Sequence, residues 1–202
     1  MIGYMHMKHY EAKTFDLPTI DGLSEKQIDV HLKLYEGYVT HVNKIGDQIA
    51  SLKESGADQY VINEVRRRLA FEFDGMRLHE YYFEQLEGGS TELTTDSSFV
   101  QKVTEKYGSW EEFLAHIKEV ASTRGIGWIL VTLDTHVDEV HVSWVSDHEL
   151  GQLSGLPILM AIDMWEHAFM VDYVPAEKGT YVDTYLANTN WQAIENRFTK
   201  AS

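Results

Sequence analysis

An unbroken apolar run that ends in an acidic residue is the strongest constraint on the fold of this chain. The run at residues 156–162 leads directly into Asp163, and His167 follows four positions later. Such a run predicts a buried element with the Asp163 carboxylate at its edge. A buried carboxylate needs a compensating partner, and a metal ion is one of the few groups that suffice. The segment therefore predicts a metal site at the end of a buried element.

Two further histidines complete a ligand set with Asp163 and His167. His31 lies on the apolar face of the first predicted helix, and His79 lies on the second helix beside aromatic residues 81–83. Taken singly, each histidine is more simply interpreted as a hydrogen-bonded core residue. Together the four residues offer three nitrogen donors and one oxygen donor. This set fits five-coordinate iron or manganese completed by water, and it also fits zinc.

The first half of the chain has a helical pattern. Ser24 and Gln27 have the spacing of a capping box, and apolar residues then recur at helical intervals to residue 42. A second helical pattern covers residues 60–86. The Gly-Gly-Ser sequence at 88–90, followed by Thr- and Ser-rich sequence, is the predicted linker. We therefore predict an N-terminal helical hairpin domain at residues 1–90 and a C-terminal domain at residues 91–202.

The second half mixes helical and strand patterns. Residues 99–121 are predicted to be helical with a break at 107–110, and a closing helix is predicted at 181–198. The predicted strands lie at residues 128–133, 140–145 and 158–162. The expected fold class is α+β, with C-terminal helices arranged around a small three-stranded antiparallel sheet.

Charge and composition exclude several classes of function. The net charge of −15 argues against nucleic acid as a partner, because phosphate contacts need clustered lysine and arginine. No apolar stretch approaches the roughly 20 residues that span a bilayer, and the chain start lacks the pattern of a secretory signal. No cysteine is present, so disulfides and thiolate ligands are excluded. We expect a cytoplasmic protein without membrane partners.

Four ordered motifs resemble the iron/manganese superoxide dismutases. The most specific is Asp-x-Trp-Glu-His at residues 163–167, preceded by Gly-Leu-Pro-Ile at 155–158. Residues 107–128 are similar to the family's stretch from Phe-Gly-Ser to Gly-Ser-Gly-Trp. The remaining motifs are the helix that carries His31 and Tyr38, and the segment that begins at His79. The resemblance extends from about residue 22 to residue 191.

The resemblance implies a dismutase that converts superoxide to dioxygen and hydrogen peroxide at one manganese or iron ion per chain. The implied metal ligands are His31, His79, Asp163 and His167. Tyr38 and His148 would hold a hydrogen-bond chain to water on the metal. Glu166 would reach a partner subunit within a homodimer or tetramer, and Trp128 and Trp165 would wall the site.

This chain departs from the family in ways that bear on the site. One residue is missing between His31 and Tyr38, which predicts a regular helix where relatives need a bulge. Tyr35 stands at the place of a family histidine, and Met170 stands at the place of the tyrosine that pairs with it across the interface. We therefore expect a rebuilt gateway. Gly75, at one of the family's two positions for an outer glutamine, favours manganese or a cambialistic enzyme.

Alternative functions remain open at the level of sequence. A non-catalytic metal-binding homologue with a structural or interaction role would fit the altered Tyr35 and Met170. A zinc hydrolase would need a general base, and Glu166 is the base adjacent to the ligands. Lys33 and Lys178 are candidates for a local positive field that guides the anion, although ordinary surface lysines would look the same.

Overall fold

The N-terminal half is built from helices that pack side by side. The structure, a computed structural model, describes residues 8–202. The first seven residues of the predicted N-terminal domain lie outside the described part. Three helices follow, α1 (Glu25–Glu54), α2 (Gln59–Arg67) and α3 (Leu69–Glu84). The Ser24 side chain caps α1 by accepting a hydrogen bond from the backbone N–H of Gln27. Helix α1 is α-helical along its whole length, so the prediction of a regular helix without a bulge is confirmed.

Two long predicted helices are each divided in the structure. The predicted helix at 60–86 breaks at Arg68, whose N–H bonds to the Val65 carbonyl three residues earlier and tightens the chain between α2 and α3. The predicted closing helix at 181–198 is two helices, α6 (Lys178–Asn188) and α7 (Trp191–Ala201). Between them the Asn190 N–H bonds to the Gln85 carbonyl at 2.7 Å rather than to its own helix. A local tight turn divides the first predicted helix, and a tertiary hydrogen bond divides the second.

The C-terminal half contains the predicted sheet. Helices α4 (Ser98–Tyr107) and α5 (Trp110–Ala121) precede strands β1 (Gly127–Asp134), β2 (Glu139–Ser146) and β3 (Ile158–Asp163). The strand order is β2-β1-β3, and both pairings are antiparallel. The predicted α+β class is confirmed. The domain boundary at residue 90 stays a prediction, since one hydrophobic core runs through residues of both halves.

The sheet brings the two halves together at one end. Strand β1 is buried along nearly its whole length, and its register places Trp128 opposite Asp163 of β3. Helix α3 packs on β3 and also along α1. This layering carries His31 and His79 to the end of β3, where Asp163 lies. Within residues 8–202, no helix combines the length and the apolar character needed to cross a membrane.

Two glycines provide a matched test of this packing. A Cβ atom at Gly127, the first residue of β1, would lie 2.0 Å from the Val145 carbonyl oxygen of β2. We expect Gly127→Ala to lower the free energy of unfolding by at least about 2 kcal/mol, because backbone must move. Gly37→Ala, in open space on α1, should raise it by about 0.5–1 kcal/mol. Urea denaturation would measure both values, and an unchanged stability for Gly127→Ala would contradict the close packing of β1 on β2.

Candidate metal centre

Three imidazole nitrogens surround one carboxylate oxygen at the end of β3. The Nε2 atoms of His31 and His167 each lie 3.0 Å from Asp163 Oδ2, and Nε2 of His79 lies 3.4 Å from it. The four donor atoms all lie within 4.8 Å of one another. His31, His79 and Asp163 have no exposed surface. The structure thus brings together all four residues of the predicted ligand set.

The spacing of these donors fits a metal ion. Donors bound to one ion at about 2.1 Å lie about 3.0 Å apart at right angles and about 3.6 Å apart at 120°. The three distances to Asp163 Oδ2 fall in this range. His79 donates from Nδ1 to the Gly75 carbonyl at 2.6 Å, which leaves Nε2 as an unprotonated lone pair in the neutral ring. That Nε2 is buried without a hydrogen-bond partner among the described residues, as a metal ligand would be.

The electrostatics of Asp163 favour its ionised form. Burial opposes ionisation, but His167 and His31 outweigh it and hold the pKa of the Asp163 carboxyl well below its ordinary value. The second oxygen, Oδ1, accepts a hydrogen bond from the Trp165 N–H at 2.8 Å. The carboxylate is therefore held negative and oriented towards the three imidazoles.

Two residues that sequence analysis did not place in the site donate hydrogen bonds to the backbone carbonyls of metal-ligand candidates. Gln27 donates from Nε2 to the His167 carbonyl at 2.7 Å and accepts from the Val171 N–H at 3.0 Å. The capping-box prediction for the Gln27 side chain is therefore wrong, because the side chain bridges to the turn that carries His167. Tyr181 donates its hydroxyl to the Asp163 carbonyl at 2.8 Å. The complete burial of Gln27 in the first turn of a helix could not be read from its spacing.

A second hydrogen-bonded group lies beside the four donors. Trp128 donates from Nε1 to Nδ1 of His148 at 2.9 Å, and Nε2 of His148 lies 2.7 Å from the Tyr38 hydroxyl. Because Nδ1 accepts, a neutral His148 ring must carry its proton on Nε2 and donate it to Tyr38. The Tyr38 hydroxyl proton is then free to point elsewhere. The loop position of His148 is stabilised by Gln152, which donates to the His148 carbonyl at 2.8 Å.

Gly75 leaves the space that the Tyr38 ring occupies. A Cβ atom at Gly75 would lie 2.7 Å from the Tyr38 ring, so no side chain fits at this position without moving Tyr38. A donor that reaches the site from Gly75 is therefore excluded. His148, on the loop after β2, is the side chain that lies next to Tyr38 instead.

Partly exposed aromatic rings form the rim around the buried His148. Phe71 packs edge-on against His148 with ring centroids 4.5 Å apart, and Trp165 stacks on His148 at 4.8 Å. Tyr38 completes the rim at 4.9 Å. Phe71 was not identified from the sequence, although its position eight residues before His79 places it two helical turns away on the same side of α3.

The interpretation of Tyr35 as a gateway residue is wrong. Tyr35 has no exposed surface, and its hydroxyl accepts a hydrogen bond from the Lys13 N–H at 2.8 Å. A side chain buried within its own chain cannot face a partner subunit. Leu34, which is partly exposed and one helical turn before Tyr38, takes that face of α1. Met170 is 46% exposed, so its predicted place at an interface is not affected.

The remaining predicted residues lie at the surface. Glu166 is exposed, and its carboxylate has no hydrogen-bond or ion-pair partner among the described residues. It lines a cavity of about 890 Å³ together with Arg124 and Lys178. Lys178 donates to the Thr123 carbonyl at 3.0 Å in the same region, and Lys33 is exposed on α1.

The protonation of His148 can be tested directly. Burial lowers the pKa of His148 to about 4, and an added proton on Nδ1 would face the Trp128 N–H. We expect nitrogen NMR of the metal-free protein to show a neutral ring with its proton on Nε2 down to about pH 5. A proton on Nδ1 at neutral pH would contradict the bond direction.

The lowered pKa of His148 also makes the free energy of unfolding depend on pH. Because the unfolded histidine binds a proton near pH 6.5 and folded His148 does not, stability falls as pH falls towards 4. From pH 6.5 to pH 5 the loss is about 1.6 kcal/mol relative to the His148→Gln protein, measured by urea denaturation.

Comparisons with known proteins agree with this geometry. Residues 95–197 match the C-terminal domain of the iron/manganese superoxide dismutases. A protein named superoxide dismutase [Fe] from Cupriavidus metallidurans is 33% identical over 90% of this chain and 91% of its own length. A protein of the same name from Aquifex aeolicus is 31% identical over 90% of this chain and 87% of its own length. The chain belongs to the iron/manganese superoxide dismutase family.

Proposed function

We propose that this protein is a superoxide dismutase that uses one iron or manganese ion per chain. The observation that carries the proposal is the convergence of three imidazole nitrogens on one buried carboxylate oxygen, at distances of 3.0–3.4 Å. The reaction consumes two superoxide anions and two protons and yields dioxygen and hydrogen peroxide. His31, His79, His167 and Asp163 would hold the ion. A bound ion would supply the one-electron redox chemistry that both halves of the reaction need.

The protein supplies the proton and the dry environment. His148 donates to the oxygen of Tyr38, so the Tyr38 hydroxyl can donate its own proton into the site. Burial raises the pKa of Tyr38, which keeps the phenol protonated at neutral pH. Trp128 and Trp165 cover the site and exclude bulk water. These contacts support a proton donor beside the metal and an approach open only to a small anion.

We further propose that two copies of the chain associate around Glu166. The exposed Glu166 carboxylate is followed in sequence by exposed apolar side chains at Met170, Val171 and Val174. Apolar side chains next to an unpaired carboxylate favour contact with another protein surface. A homodimer is the simplest closed assembly, and a tetramer would contain the same contact. A cytoplasmic location stays a prediction from the sequence.

The choice between iron and manganese belongs to the same proposal. The named relatives carry iron in their names, whereas Gly75 favours manganese or a cambialistic enzyme in the sequence comparison. The ligand set of three imidazoles and one carboxylate accepts either ion. In this proposal His148, a hydrogen-bond donor outside the ligand set, adjusts the redox potential of the ion.

The proposal is tested by superoxide consumption in pulse radiolysis, with the purified protein loaded separately with iron and with manganese. We expect fast, metal-dependent loss of superoxide, and the more active form identifies the preferred ion. His79→Ala should lose bound metal, because it removes one of four donors. Tyr38→Phe should bind metal at full stoichiometry and lose only part of its activity, because its hydroxyl is not a ligand.

Metal content and activity together separate the outcomes. Bound metal without superoxide consumption would contradict the enzyme and favour a non-catalytic homologue. Zinc as the sole bound metal, in a protein without visible absorption, would favour a hydrolase. A Tyr38→Phe protein that fails to bind metal would contradict the role of Tyr38 as a donor outside the ligand set.

A further inference from the structure

The site described above faces an electrostatic problem. The chain carries a net charge of −15, and its substrate under the proposed function is an anion. A local positive charge near the entrance can focus such an anion against the overall charge. Lys178 lines the cavity beside Glu166, and neither Tyr38 nor His148 lines that cavity. Lys33 is exposed on α1 but has no contact with the aromatic rim among the described residues, so a cation that contacts the rim is the stronger candidate.

Arg68 lies directly outside the aromatic rim. Its guanidinium carbon lies 3.7 Å from the centre of the Phe71 ring, and the Phe71 ring packs edge-on against His148 with centroids 4.5 Å apart. Arg68 is exposed at the turn between α2 and α3. The exposed Arg68 guanidinium is therefore separated from His148 by a single aromatic ring.

We propose that Arg68 is the residue that attracts the anionic substrate to the Tyr38 and His148 side of the metal centre. The inference rests on the proposed function and adds a specificity-determining residue to it. Stacking on Phe71 holds the guanidinium in place, and 56% of the Arg68 side chain stays exposed to solvent. Only one contact of Arg68 to an acidic side chain is seen, from Nε to Glu72 Oε1 at 2.9 Å.

The pairing with Glu72 does not cancel the charge at the entrance. Glu72 is nearly buried, whereas the Arg68 side chain is 56% exposed, so the positive end of the pair faces solvent. The charge of Arg68 acts to lower the pKa of both His148 and Tyr38, although burial is the largest influence on each. Glu72 opposes Arg68 at Tyr38.

The test compares two arginines of the same helical region. Arg68→Gln and Arg66→Gln remove the same charge, but exposed Arg66 contacts Asn63 and no ring of the rim. In the metal-loaded protein we expect Arg68→Gln to lower kcat/KM for superoxide and to weaken azide binding, each by roughly two- to fivefold at low salt. Azide binding is followed by optical titration of the metal. Arg66→Gln should change either value by less than about 1.5-fold, since its charge lies away from the entrance.

Further variants separate charge from structure. Arg68→Lys keeps the charge and should retain most of the wild-type values, and Glu72→Gln removes the opposing charge and should raise both. The difference between wild type and Arg68→Gln should vanish in 1 M salt, where the screening length is about 3 Å. Equal effects of Arg68→Gln and Arg66→Gln, an effect that persists in 1 M salt, or an Arg68→Lys protein as impaired as Arg68→Gln would each overturn the proposal.

A failure of the proposed function would look different. A wild-type protein that binds metal and consumes no superoxide would contradict the proposed dismutase activity. The azide titration would still compare Arg68 with Arg66 in that protein, because it measures anion access to the metal and not turnover.

Discussion

The buried Asp163 carboxylate is the interaction on which the rest of the structure depends. A carboxylate without exposed surface is strongly unfavourable unless groups that stabilise its charge surround it. Three imidazoles do so on one side, and the Trp165 N–H does so on the other. Each imidazole comes from a different element, so α1, α3 and the turn after β3 must meet at one point. The packing of α3 on β3, and the pairing of β3 with the central strand β1, bring about that meeting.

The second group of residues turns a metal site into a reactive one. Trp128 is the first fully buried side chain of the central strand, and its indole N–H determines which nitrogen of His148 can accept. Because Nδ1 of His148 accepts from Trp128, Nε2 donates to the Tyr38 oxygen. The Tyr38 hydroxyl can then donate its own proton towards the four metal-ligand candidates. The space at Gly75 is part of the same arrangement, because any side chain there would displace the Tyr38 ring. A rigid strand, a small residue and a loop histidine thus act together on one hydroxyl group.

Much of this arrangement could be predicted from the sequence, and the exceptions have physical causes. The strand before Asp163, the helical positions of His31 and His79 and the α+β class follow from periodicity and motif order. The breaks at Arg68 and Asn190 do not, because a local three-residue turn to Val65 marks the first and a tertiary hydrogen bond to Gln85 marks the second. The burial of Tyr35 could not be predicted either, because helical spacing does not show that its hydroxyl bonds to the Lys13 N–H of the N-terminal segment.

The most direct test of the account is anomalous diffraction from crystals of the protein loaded with iron or manganese. The account predicts one ion per chain, bonded to Nε2 of His31, His79 and His167 and to Oδ2 of Asp163, with His148 bonded to Tyr38 and not to the ion. An ion bonded through His148, or one that leaves any of the four donors unbound, would contradict the central claim that these four residues form the metal centre.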